Sequence, residues 1–123
     1  MFKRFILLSI FLVLLMACTG AAGDAGVIVE QYMEAKVDGD TDTIQQLLCS
    51  EMEEFMEREA LTFAAVEGAR IENMSCQQVG DTDTVTCEGE IIAMYGTEEN
   101  VFPLTSYRVV QEDGEWRWCG ETY

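Results

Sequence analysis

Ile71-Glu72-Asn73-Met74-Ser75-Cys76-Gln77-Gln78-Val79, then Gly80-Asp81-Thr82-Asp83, then Thr84-Val85-Thr86-Cys87-Glu88-Gly89-Glu90-Ile91-Ile92-Ala93-Met94, is the stretch that decides the fold. Two strand-like runs flank a turn built from Gly and Asp, the pattern of an antiparallel hairpin. If Val79 faces Thr84 across the turn, Cys76 faces Cys87. Directly opposed residues in such a pair sit about 4.5–5.5 Å apart at Cα, within disulfide reach. In the second run Val85, Cys87 and Ile91 share one face, and Thr84, Thr86, Glu88 and Glu90 share the other. Strict alternation makes the first set the core face and turns Glu88 and Glu90 outward.

Upstream of the hairpin the period is that of helices. Val29, Tyr32, Met33 and Val37 form an apolar stripe that predicts a helix over 26–37. Asp38-Gly39-Asp40 ends it and caps the next, since Gly stops a helix and Asp starts one. A short second helix over 41–48 buries Ile44, Leu47 and Leu48. Ser50, with Glu53 three residues on, reads as a capping box for a third helix, about Glu51 to Val66. Its apolar face is Met52, Phe55, Met56, Phe63 and Ala64. Downstream, the loop Tyr95–Asn100 leads to a strand over Val101–Gln111. Asp113-Gly114 is a strong hairpin turn into the last strand, Trp116-Arg117-Trp118-Cys119. Gly-Asp-Thr-Asp-Thr occurs at both 39–43 and 80–84, each time at a turn or cap.

Phe5 to Ala17 is thirteen residues, apolar except for Ser9, behind Lys3 and Arg4. A bilayer span needs about 20 apolar residues, whereas a signal-peptide core needs about 7–15 after a basic start. Leu15-Met16-Ala17-Cys18 closes the run and resembles a bacterial lipobox, whose Cys takes diacylglycerol and becomes the new N-terminus. That resemblance implies a signal peptide at 1–17, with Cys18 carrying palmitate-type chains. Residues 18–25 then form a small, flexible tether. Ordinary cleavage near Ala17 or Ala22, leaving a secreted protein, is the alternative.

Removing residues 1–17 leaves 106, enough for one domain with a modest core. All 23 acidic residues remain, against five basic ones (Lys36, Arg58, Arg70, Arg108 and Arg117), a net −18. Such a surface repels nucleic acid and anionic head groups, so no nucleic-acid partner is expected. There is no His, which removes the commonest general base and metal ligand. Four cysteines follow Cys18, and an even number in an exported chain points to disulfides. Zinc would need closer spacing, and no Cys-x-x-Cys pair is present. With Cys76 paired to Cys87, Cys49 at a helix end is left for Cys119 in the last strand. That second bridge is worth about 4 kcal/mol in the chain-entropy model.

Three helices followed by four strands, with Gly39-Asp40 between the first two helices, resembles the nuclear-transport-factor-2-like, or cystatin-like, cone. The closing Glu112-Asp113-Gly114-Glu115-Trp116-Arg117-Trp118-Cys119-Gly120 is similar to the last hairpin of small bacterial lipoproteins with this fold. The resemblance implies a single α+β domain over 26–123, with three N-terminal helices packed on a curved four-stranded antiparallel sheet. It implies no activity, because one scaffold carries enzymes, ligand binders and adaptors.

No metal, cofactor or catalytic set stands out. Asp38-Gly39-Asp40-Thr41-Asp42 opens like a calcium loop, but that loop needs Gly at the sixth position and Glu at the twelfth. Thr43 and Cys49 stand there instead. Glu51, Glu53, Glu54, Glu57 and Glu59 read as a solvated acidic face. A cone enzyme would need a buried carboxylate beside a tyrosine, with Glu88 or Glu90 and Tyr107 or Tyr32 as candidates. Tyr107, Trp116 and Trp118 read first as core, with the Trp rings covering the helices, and otherwise as a candidate pocket or partner surface; Trp116 and Trp118 share one face of the last strand, Arg117 and Cys119 the other. The expected function is a non-enzymatic binding or interaction module, lipid-anchored in a bacterial envelope. Its partner would be a protein or a small apolar ligand. Cys18→Ala should block maturation or release the protein from the membrane fraction. A variant that matures normally and still sediments with membranes would refute the anchor.

Overall fold

The structure, a computed structural model, describes residues 24–122. The signal-peptide run, Cys18 and the tether up to residue 23 lie outside the described residues. The elements run α1 (Ala25–Asp38), α2 (Thr41–Leu47), a 3-10 helix (Ser50–Phe55), α3 (Met56–Ala60), β1 (Glu67–Gln78), β2 (Thr84–Tyr95), β3 (Glu98–Pro103), β4 (Ser106–Glu112) and β5 (Glu115–Thr122). None of the described helices is long and apolar enough to cross a membrane.

The helical stripe packs as its spacing predicts, with Val29, Tyr32, Met33 and Val37 buried. Asp24 caps α1 by accepting from Gly26 N at 2.8 Å, so Ala25 belongs to the helix and not to the tether. Gly26 is required by packing: a Cβ there would run into the Cys76 carbonyl. Removing it lets α1 lie against β1, where Glu30 Oε1 accepts from Cys76 N at 3.1 Å. Asp40 caps α2, accepting from Thr43 N at 3.2 Å and from its hydroxyl at 2.7 Å.

The third helix differs from the expectation. Instead of one helix to Val66, a 3-10 turn leads into one short α-helix that ends at Ala60. The Ser50–Glu53 capping box does not form. Cys49 takes the N-cap position with no side-chain bond, and Ser50 N donates to both Glu112 oxygens, at 2.7 and 3.0 Å. The segment is held from outside, by Cys49 bonded to β5, and five glutamates crowd it. At its far end Thr62 Oγ1 bonds back to the Arg58 and Glu59 carbonyls, both at 3.0 Å, a contact that competes with helix propagation.

The sheet has five strands, not four, in the order β1-β2-β4-β5, with β3 also paired to β2. The single strand expected over Val101–Gln111 breaks at Leu104-Thr105. Leu104 turns into the core, and its N–H donates to the Gly89 carbonyl at 2.9 Å. The two halves then pair with different halves of β2: β3 with Glu90–Tyr95 and β4 with Thr84–Thr86. Gly89 sits at the division with φ 107°, and a Cβ there would meet the Glu72 and Asn73 carbonyls at 2.7 and 2.8 Å. Opposite it β1 bulges between Glu72 and Ser75. A bulge facing a glycine bends a sheet, and here the bend curves it around α1.

Cys76 pairs with Cys87 in register and in a disulfide, and Cys49 with Cys119. The pairing suits an oxidising compartment outside the cytoplasm. Register also shifts between Tyr107 and Val109: Val109 faces Trp118 but Tyr107 faces Glu121. The extra β5 residue in that interval breaks the alternation, so Trp118 and its neighbour Cys119 are both buried. Cys49→Ser with Cys119→Ser should lower unfolding free energy by about 4 kcal/mol, because the bridge closes the longer loop. Urea unfolding of the oxidised protein checks this, and a loss below that of the Cys76/Cys87 double variant would contradict it.

Candidate functional site

The mouth of the cone gathers groups from α1, α3 and β5. Tyr32 and Lys36 are one helical turn apart on α1 and point the same way. Tyr32 Oη donates to Glu59 Oε1 at 2.9 Å, and Lys36 Nζ lies 3.3 Å from each Glu59 oxygen. Arg58 Nε stands 3.9 Å from Oε2, with its guanidinium over the Phe55 ring. Glu59 is only 4% exposed, the one acidic side chain buried among the described residues. The Tyr32 ring stacks on Trp118 with centroids 4.0 Å apart, and Lys36 Nζ sits 5.5 Å from the Trp118 centroid. Tyr107 closes the group at 6.2 Å from Trp118.

The electrostatics hold protons in place. Burial, then the Glu59 charge and its hydrogen bond, push the Tyr32 phenol far above its ordinary value. Burial also raises Tyr107, whose hydroxyl accepts from Thr105 N at 3.3 Å. Tyr32 is therefore held as the donor in its bond to Glu59. Lys36 adds the counter-charge that lets a carboxylate sit in a core. The Trp118 indole N–H is the buried side-chain polar atom left without a partner among the described residues.

Two hollows open above this group. One of about 590 Å³ is lined by Met52, Glu59, Leu61 and Trp118 among others. One of about 230 Å³ is lined by Met33, Phe63, Ile91, Leu104 and Tyr107 among others. They share Lys36, Thr62 and Glu121. Leu61, Tyr95 and Phe102 stand around them 57%, 46% and 41% exposed, with Tyr95 edge-on to Phe102 at 6.3 Å.

The residues singled out from sequence divide between places. Tyr107 and Trp118 are at the mouth but buried. Trp116 is half-buried and lines a separate cleft under the last hairpin. Glu88 is exposed and Glu90 half-buried on the outer face, so neither meets Tyr32 or Tyr107 inside. The carboxylate that does is Glu59, buried rather than part of a solvated acidic face. Its position carried a signal: Met52, Met56, Glu59 and Phe63 follow the four-three-four spacing of a buried stripe.

Tyr32 makes stability sensitive to alkali. Its folded pKa lies above the unfolded value, so its contribution is intact below about pH 10. Above that the unfolded chain loses a proton the folded one keeps, and stability falls by about 1.4 kcal/mol per pH unit. Tyr32→Phe should flatten the decline between pH 10 and 11.5 by about that amount. Equal slopes in urea titrations of the two proteins would count against a protonated, buried Tyr32.

No protein-family model matches the sequence, and no curated protein matches it. Several solved structures resemble it, among them these two. A SEC-C motif containing protein from Rhodopseudomonas palustris superposes with a TM-score of 0.55 at 16% identity, covering 81% of each chain. An NTF2-like protein of unknown function in nutrient uptake, from Rhodospirillum rubrum, superposes with a TM-score of 0.50 at 14% identity, covering 80% of this chain and 95% of its own. At such identities the likeness is one of fold alone, and the described domain has an NTF2-like α+β fold.

Proposed function

We propose that this chain is a bacterial envelope lipoprotein, anchored through acylated Cys18, whose domain is a non-enzymatic interaction module. The lipobox supports the anchor, and the two disulfides fit an exported domain. The observation that carries the binding role is an apolar rim around hollows floored by buried aromatic rings. Tyr32, Trp118 and Tyr107 occupy the interior, each no more than 2% exposed. Leu61, Tyr95 and Phe102 offer apolar surface outside, the kind of patch that marks a docking site. Catalysis is not favoured, because Glu59 already faces Tyr32, Lys36 and Arg58 and has no role left as a base.

A second reading rests on the smaller hollow. Its volume of about 230 Å³ is below the usual range for drug-sized ligands, about 300–1,000 Å³, but suits a small apolar molecule. A photoreactive residue placed at Leu61, Tyr95 or Phe102 of the full chain in cells should yield one discrete adduct. The same residue at Ser75 or Thr86, on the outer sheet face, should not. Blank lanes at the mouth, or identical products at all five positions, would overturn the docking role. Native mass spectrometry then addresses the second reading: added mass that leaves on denaturation supports it, and a bare mass removes it.

A further inference from the structure

A cleft of about 870 Å³ lies away from the mouth and shares no lining residue with it. The end of α2 forms one wall, with Gln46 and Leu47, and the β4–β5 hairpin forms the other, with Trp116. Its lining carries four carboxylates, Glu53, Glu112, Asp113 and Glu115, against one cation, Arg117. Glu112 is spent on Ser50 N, at 2.7 and 3.0 Å, and Glu115 on Arg117, at 3.0 Å. Glu53 and Asp113 have neither a hydrogen-bond nor an ion-pair partner among the described residues. On a chain of net charge −16, this cleft repels anions and favours cations.

A backbone feature narrows the class of occupant. The register is Glu112 with Glu115, Gln111 with Trp116, Val110 with Arg117 and Val109 with Trp118. In a two-residue hairpin the closing pair exchanges hydrogen bonds, and alternate pairs do not. The N–H and C=O of Trp116 and Trp118 therefore point away from β4. The Trp118 carbonyl is used, accepting from Cys49 N at 2.9 Å, where Leu48 bridges Trp118 in parallel. Before Leu48 the chain is helical and veers off the edge. The rung at Trp116 is thus left open at the cleft, on the terminal strand of the sheet. The Cys49–Cys119 disulfide and the Ser50–Glu112 bonds hold both walls, so the gap is preformed.

We propose that this cleft receives an extended, basic peptide segment of a partner protein. The segment adds beside β5 and pairs its backbone with the free N–H and C=O of Trp116. It sets a Lys or Arg side chain among Glu53, Asp113 and the Trp116 indole. Strand addition supplies affinity through the main chain and specificity through side-chain sites, and a cation over an indole adds to ion pairing. A free amine would meet the carboxylates but leave the open rung unmet. The inference shares with the proposed function only the premise that the domain works by binding, and it stands whether or not the mouth has a partner.

The test uses the full chain in detergent micelles and a fluorescent eight-residue peptide alternating Lys and Thr. Saturable binding is expected below about 1 mM, with shifts at the Trp116 amide and indole resonances. Glu53→Lys with Asp113→Asn should weaken it by about tenfold. N-methylation at alternate peptide positions should weaken it by about tenfold as well, because the rung is lost. Four results would each overturn the proposal: no saturable binding, equal binding of the matching Glu–Thr peptide, unchanged affinity of the N-methylated peptide, or full displacement by spermidine at equal charge. The last two would leave a small-cation site only. Loss of mouth adducts together with intact peptide binding would remove the docking role at the mouth and leave this one.

Discussion

The attachment of Cys49 to β5 is the constraint on which the rest of the structure depends. A disulfide to Cys119 and a 2.9 Å bond from Cys49 N to the Trp118 carbonyl tie the helical half to the terminal strand. Without that tie the segment after α2 has little reason to leave helical geometry where it does. With it, the chain must run alongside Trp118, turn through a 3-10 helix and reach the mouth as one short helix. That path delivers Glu59 to Tyr32 and Lys36, and it opens the gap between α2 and Trp116. For a domain of this size a bridge worth about 4 kcal/mol is a large share of net stability.

The buried charge cluster follows from the same path. A lone carboxylate in an apolar interior is costly, yet Glu59 lies where the stripe of the third helical segment calls for an apolar residue. Lys36 and Tyr32 supply a counter-charge and a hydrogen bond, and Trp118 supplies the flat face that both pack on. Replacing such a cluster by apolar residues is often neutral for stability, whereas removing one member is not. It joins α1, α3 and β5 through one set of contacts, Glu59 with Tyr32 and Lys36, and Tyr32 on Trp118.

The acidic surface bears on both faces proposed to bind. The acidic surface disfavours anionic partners at either face. The mouth offers apolar surface around hollows floored by aromatic rings, and the cleft offers carboxylates and an open backbone rung. These are different chemistries, and the two partners proposed for them differ accordingly, one hydrophobic and one basic.

The sequence by itself determined whatever rests on neighbours in the chain. Alternation and the Gly80–Asp83 turn placed Cys76 opposite Cys87, Gly39-Asp40 divided the first two helices, and Asp113-Gly114 set the last hairpin. Each of these is a local matter of backbone freedom and side-chain period. Tertiary structure alone decided the broken third helix, the split of the predicted third strand at Leu104, the adjacent burial of Trp118 and Cys119, and the burial of Glu59. Those outcomes depend on partners far away in the chain: Tyr32 meets Glu59 across 27 residues and Ser50 meets Glu112 across 62. A charged residue at a stripe position reads as solvent-facing until its counter-charge is brought to it, and only the folded path of the chain does that.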